Sequence, residues 1–162
     1  MKRFILTSLI VSNLLSGCAG YPRLLNIPGL NSPYLESSPQ ISGRLFVFTS
    51  DRNGSQDVYL FDTQTRRLLN LPGLNSLDEI ATHPSITDNG KYIVYAGTRQ
   101  GRTNIYIYNR ETQQKRNLTA NLQAEVQNPS ISADGSRVVF EVAKNGQWDL
   151  AVYSIAETRL IE

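Results

Sequence analysis

Short apolar runs alternate with polar, glycine-bearing interruptions along most of the chain. The runs are "RLFVF" from Arg44, "DVYLF" from Asp57, "YIVYA" from Tyr92, "NIYIY" from Asn104, "RVVFEV" from Arg137 and "DLAVY" from Asp149. Segments this short and this rich in β-branched and aromatic residues predict strands. Several are apolar at consecutive positions instead of alternating, as in Phe46-Val47-Phe48 and Ile105-Tyr106-Ile107. Both faces of the resulting sheets are therefore expected to be buried. The interruptions have turn chemistry. "DNG" (88–90) and "ADG" (133–135), then "RNG" (52–54), "RQG" (99–101) and "KNG" (144–146), each supply a glycine where a tight hairpin needs positive φ.

The pattern repeats. Lines beginning at Ser38, His83 and Asn128 superimpose with a period of about 45: Pro84 and Pro129, Gly90 and Gly135, Gly101 and Gly146, and Tyr108 and Tyr153 hold equivalent places. The first unit is shorter in its first turn. Each unit reads as four strands, a short one at Pro-x-Ile, the two apolar ones, and a fourth at "RRLLNL", "KRNL" or "TRLIE". Small sheets recurring at this spacing, none able to bury its faces alone, predict an all-β partial propeller of three four-stranded antiparallel blades over 38–82, 83–127 and 128–162.

The third unit, "SADGSRVVFEVAKNGQWDLAVYS", resembles the blade repeat of TolB-type propellers: a hydrophobic and Ser before Asp-Gly, a strand, Gly, then Asp or Asn before a hydrophobic. Asp134, Gly135, Gly146 and Asp149 carry the resemblance best, and the first unit lacks the Asp of the Asp-Gly turn. The resemblance covers 38–162 and implies a six-bladed ring, of which this chain supplies three blades. It lacks the N-terminal domain of the periplasmic TolB protein, so that protein's role in the Tol-Pal system does not carry over.

Ahead of the blades stands "RLLNIPGLNS" (23–32), which the first unit repeats in nine of ten positions as "RLLNLPGLNS" (67–76). The later copy reads as an outer strand plus the connection to the next blade. The earlier copy is thus expected to be a spare outer strand around Leu24–Ile27, with no blade of its own before it. Three blades cannot close a ring, so two copies are expected to complete six, the spare strand pairing across the junction and competing with or extending the strand at Thr158–Glu162.

The N-terminus changes the cellular picture. Met1, Lys2 and Arg3 precede an apolar run, Phe4–Leu15, too short to span a bilayer and right for an export signal. "LSGC" follows, resembling the lipobox of bacterial lipoproteins, with Cys18, the sole cysteine, as the lipid attachment site. Residues 1–17 are expected to be removed, and 18–37, rich in proline, to form a tether from the envelope membrane. In an organism with an outer membrane, Ala19 after the cysteine resembles a signal for that membrane. Loss of Lys2 and Arg3 leaves as many Lys and Arg as the 14 Asp and Glu, which argues against nucleic acid as a partner.

Catalytic chemistry is sparse: one histidine, no G-x-S-x-G elbow, no phosphate loop and no metal-ligand spacing. Enzymatic activity, a cofactor and a metal are not expected. His83 shares its register with Ser38 and Asn128 and reads as a strand-start residue. "DRNGSQD" (51–57) places oxygens at alternate positions as calcium loops do, but lacks the distant Glu. The second-to-third strand hairpins and the blade connections should share one face, carrying Arg52, Arg99, Arg102, Lys144 and Trp148 beside Asp78, Glu79 and Glu125. That mixed-charge rim with one aromatic suits a protein or glycan partner better than a buried small-molecule pocket, and an envelope protein partner is expected. The alternatives are a carbohydrate-binding or calcium-dependent module, or a non-catalytic accessory to a hydrolase.

Overall fold

The computed structural model describes residues 23–155, and every regular element in it is a strand. The first sheet comprises β1 (Glu36–Ser42), β2 (Leu45–Ser50), β3 (Asp57–Asp62) and β4 (Arg67–Leu69). The second comprises β5 (Ile80–Ile86), β6 (Tyr92–Arg99), β7 (Arg102–Asn109) and β8 (Gln114–Asn117). The third comprises β9 (Val126–Ile131), β10 (Arg137–Lys144) and β11 (Gln147–Ser154). Each is an antiparallel meander in which consecutive strands are neighbours. The expected fourth strand of the third unit, at Thr158–Glu162, lies outside the described residues.

The turns follow from the residues that make them. Gln100-Gly101 and Asn145-Gly146 both take positive φ (49° and 77°, 50° and 81°), the two-residue hairpin geometry that matches strand twist. Gly90 and Gly135 turn the first hairpins of the second and third sheets with φ 70° and 78°.

The core lies between sheets. Val47, Val58 and Leu60 of the first sheet pack against Ile93, Tyr95 and Tyr108 of the second; Val94, Ile105 and Ile107 of the second pack against Val138, Phe140 and Val142 of the third. Adjacent strand residues thus serve opposite interfaces, which accounts for the unbroken apolar runs. Each fully buried large side chain contributes about 1.5–3 kcal/mol, so one sheet without a neighbour would forfeit most of its burial.

The inner strands are longer than the Pro-x-Ile pattern predicts, and each is broken by a bulge. Ser38, His83 and Asn128, each preceding proline, have φ of 51°, 49° and 51°, and the β-ladder register shifts beside them. Just past each of the first two bulges, a side chain bonds the next inner strand. Gln40 Oε1 accepts from Ile86 N at 2.8 Å, and Ser85 Oγ accepts from Ile131 N at 3.2 Å. These bonds step from blade to blade around the inner edge.

The segment 23–35 departs from the expected spare strand. Arg23–Ile27 is not in a strand, because no strand in the described chain lies beside it. Ile27-Pro28-Gly29-Leu30 forms the same turn as Leu71-Pro72-Gly73-Leu74: the glycines have φ 79° and 74°, and the closing N–H···O bonds are 3.3 and 3.2 Å. Nor is it a free tether, since it is bonded to the first sheet. Leu35 N donates to Asp51 Oδ1 at 2.8 Å, and Arg52 donates to Leu30 O at 2.9 Å.

Candidate groove between the second and third sheets

Three loops meet at one end of the molecule: the β6–β7 hairpin, the β8–β9 connection and the β10–β11 hairpin. They enclose a groove of about 780 Å³ lined by Thr82, His83, Thr98, Arg102, Gln123, Glu125, Gln127 and Trp148, among others. The hairpin geometry of Gln100-Gly101 brings Arg102 onto its wall, where the guanidinium donates to Leu122 O at 3.0 Å. Thr98 and Thr103 share a hydroxyl hydrogen bond of 2.8 Å across β6 and β7. The positive φ of His83 at the bulge places it here instead of in the ladder.

Glu141 does not line the groove but is linked to it through Gln127. Gln127 donates to Glu141 Oε2 at 2.7 Å. Hydrogen bonds from Asn128 and Gln127, with His83 nearby, hold the Glu141 carboxyl below its ordinary range against a smaller desolvation effect. Glu125 is exposed, and Trp148 is 47% exposed although it is the bulkiest side chain in the protein. An aromatic plane beside Arg, Glu, Gln, Thr and His offers stacking, donors and acceptors along one trough.

The structure divides the sequence-predicted rim residues. Arg102, Glu125 and Trp148 converge on this groove, and Lys144 is exposed at the base of the same β10–β11 hairpin. Arg52, Arg99 and Asp78 do not join them. Glu79 is not on the rim at all: it is buried at 3% exposure and accepts from Tyr95 Oη at 2.8 Å, Arg99 Nε at 3.0 Å and Lys115 Nζ at 3.2 Å. Lys115 also donates to Leu74 O at 2.8 Å, so this cluster fastens the β4–β5 connection to the second sheet. Asp78, 3.5 Å from Arg99, lies at its exposed edge. Arg52 plays the part in the first sheet that Arg99 plays in the second. It pairs with Glu36 at 2.8 Å and lies over the Phe48 and Tyr59 rings.

Gln123, Gln127, Thr82, Thr98 and Thr103 were not foreseen as groove residues. Thr82 and Gln127 immediately precede the bulge residues His83 and Asn128, whereas Gln123, Thr98 and Thr103 are brought to the groove only by the stacking of the sheets. Among the described residues no three His, Cys, Asp or Glu side chains converge as a metal site. Asp51 is instead engaged with Leu35 N, and Asp57 with Ser55 at 3.2 Å. Cys18 lies outside the described residues, among which no helix is long and apolar enough to cross a membrane.

The architecture is that of a partial β-propeller with a TolB-like fold. TolB from Acinetobacter baumannii superposes with a TM-score of 0.56 at 24% identity, over 73% of this chain and 29% of that one. A protein assigned as TolB from Agrobacterium tumefaciens gives 0.54 at 20% identity, over 72% and 43%. The β-propeller domain of the Trilobed protease from Pyrococcus furiosus, described as having an open velcro topology, gives 0.55 at 14%, over 75% and 39%. The chain therefore spans well under half the length of these structures. No family profile and no curated protein sequence matches it.

Proposed function

We propose that the protein is a membrane-anchored interaction module of the bacterial envelope, tethered through a lipidated Cys18, that binds a protein partner in the groove between its second and third sheets. The observation that carries the reading is the exposed Trp148 in a trough also lined by Arg102, Glu125, His83 and Gln127. A half-exposed Trp flanked by charges of both signs has the composition of a binding hot spot with its polar rim. The TolB-like fold supports an interaction role without identifying the partner.

Site-specific photo-crosslinking in living cells tests this. A photoreactive residue at Glu125 should yield a discrete protein adduct that is lost when Trp148 is replaced by Ala, while the same residue at Gln113 should yield none. Absence of a protein adduct, combined with retention of the purified chain on immobilised glycans, would replace this reading with the carbohydrate-binding one.

A further inference from the structure

The connection between the first two sheets also completes the sheet before it. Asn75 reaches back to β3, where Oδ1 accepts from Val58 N at 3.0 Å and Nδ2 donates to Val58 O at 2.9 Å. At the next junction the same strand position, Ile105, is served by Thr119 Oγ1 at 3.0 Å and Leu118 N at 2.8 Å. Every described connection thus caps the third strand of the preceding blade while its Pro-Gly turn or its equivalent leads to the next one.

Segment 23–32 has the parts of such a connection, and no sheet among the described residues lies before it for it to cap. Asn31 corresponds to Asn75 in the duplicated string and is exposed. Leu24 and Leu25 are 100% and 75% exposed, whereas their counterparts Leu68, at 38%, and the half-buried Leu69 lie against β3. Downstream, the attachment to the following sheet is already made, through Arg52 to Leu30 O and Glu36.

A blade that fits this vacancy is present in the chain. In the third sheet, Leu150 and Val152 occupy the repeat positions of Val58 and Leu60, yet they are 74% and 62% exposed where their counterparts are 1% and 0%. Their cross-strand partners, Glu141 and Val139, lie on the same side. This is the side that in the first and second sheets is covered by the next blade.

We propose that a second copy of this chain docks its third sheet ahead of the first sheet, with Arg23–Leu25 of one copy pairing alongside β11 of the other and Asn31 capping the Leu150 backbone. The register follows from β3 and β4, where Leu60 pairs with Leu69, and sets Val152 opposite Leu25. Applied reciprocally, the contact closes two copies into a six-bladed ring.

The test uses the full chain with Cys18→Ala, so that introduced thiols stand alone, in detergent. Two differently tagged forms, Leu25→Cys and Val152→Cys, are mixed and mildly oxidised. A disulfide-linked heterodimer is expected, with none between Leu25→Cys and Gln113→Cys. Light scattering on the parent should give twice the mass of one chain. Asn31→Ala, which removes two hydrogen bonds at each of the two reciprocal junctions, should weaken association about a thousandfold, and Leu150→Asp should abolish it with an unchanged far-ultraviolet spectrum, because that side chain is solvent-exposed in the single chain. A single-chain mass at every concentration with no heterodimer overturns the proposal. So does a dimer insensitive to both substitutions, or a complex whose mass requires a different protein.

Discussion

Replacing Gly90 by alanine isolates the contribution of blade-to-blade packing from that of turn geometry. Gly90 sits at φ 70° in the first hairpin of the second sheet, and a Cβ there would fall 2.5 Å from Leu45 Cδ1 and 3.0 Å from an Arg110 guanidinium nitrogen. Leu45 is itself buried at 8% in the interface between the first two sheets, so it has little room to retreat. Left-handed backbone at a non-glycine residue costs about 1 kcal/mol. Forcing an extra methyl into a packed interface costs about 1–3 kcal/mol more. Gly146→Ala is the matched control, because Gly146 has φ 81° but no atom within 4 Å of its Cβ direction, leaving the backbone cost alone. Gly90→Ala should therefore unfold at a urea midpoint lower than Gly146→Ala by about 1 M, taking a denaturant slope of about 1–3 kcal/mol per molar. Equal midpoints would refute the reasoning, since they would mean that the first and second sheets are not in contact at Leu45.

Glu79→Ala should destabilise by about 3 kcal/mol, because it leaves the largely buried Lys115 and the Tyr95 hydroxyl without their carboxylate, whereas Glu36→Ala, at a more open pair, should cost about 1 kcal/mol; thermal unfolding of both variants compares them. Asp134 is held down to about 2 by bonds from Ser132 and then Ser136, so its stabilising effect is complete above the ordinary value of 3.8 and disappears as pH falls through about 2. Acid titration of stability should show that loss in the parent and not in Asp134→Ala. Cys18→Ser should shift the protein from the detergent phase to the aqueous phase, because two or more acyl chains suffice for stable membrane attachment; unchanged partitioning would remove the anchor.

The strands, their hairpins and the number of sheets were legible in the sequence because they are local. An apolar run such as Ile105-Tyr106-Ile107 can be buried on both faces only in a stacked sheet, and Gln100-Gly101 can turn a two-residue hairpin wherever it occurs. The repeat also announced that 23–32 and 67–76 share a structure, and they share a turn. What the sequence did not contain was the neighbour of each residue. Arg99 and Arg102 face each other across the β6–β7 hairpin with the same charge, yet one reaches back to the buried Glu79 in the β4–β5 connection and the other reaches forward to Leu122 O in the β8–β9 connection, where it lines the groove. Glu79 looked like a rim carboxylate beside Asp78, but the connection that carries it folds over Tyr95 and Lys115, residues from two strands distant in sequence. Strand formation depends on a few adjacent residues, so it can be read along the chain. Whether a carboxylate ends in solvent or beneath a loop depends on how successive sheets stack, and only the tertiary structure decides that.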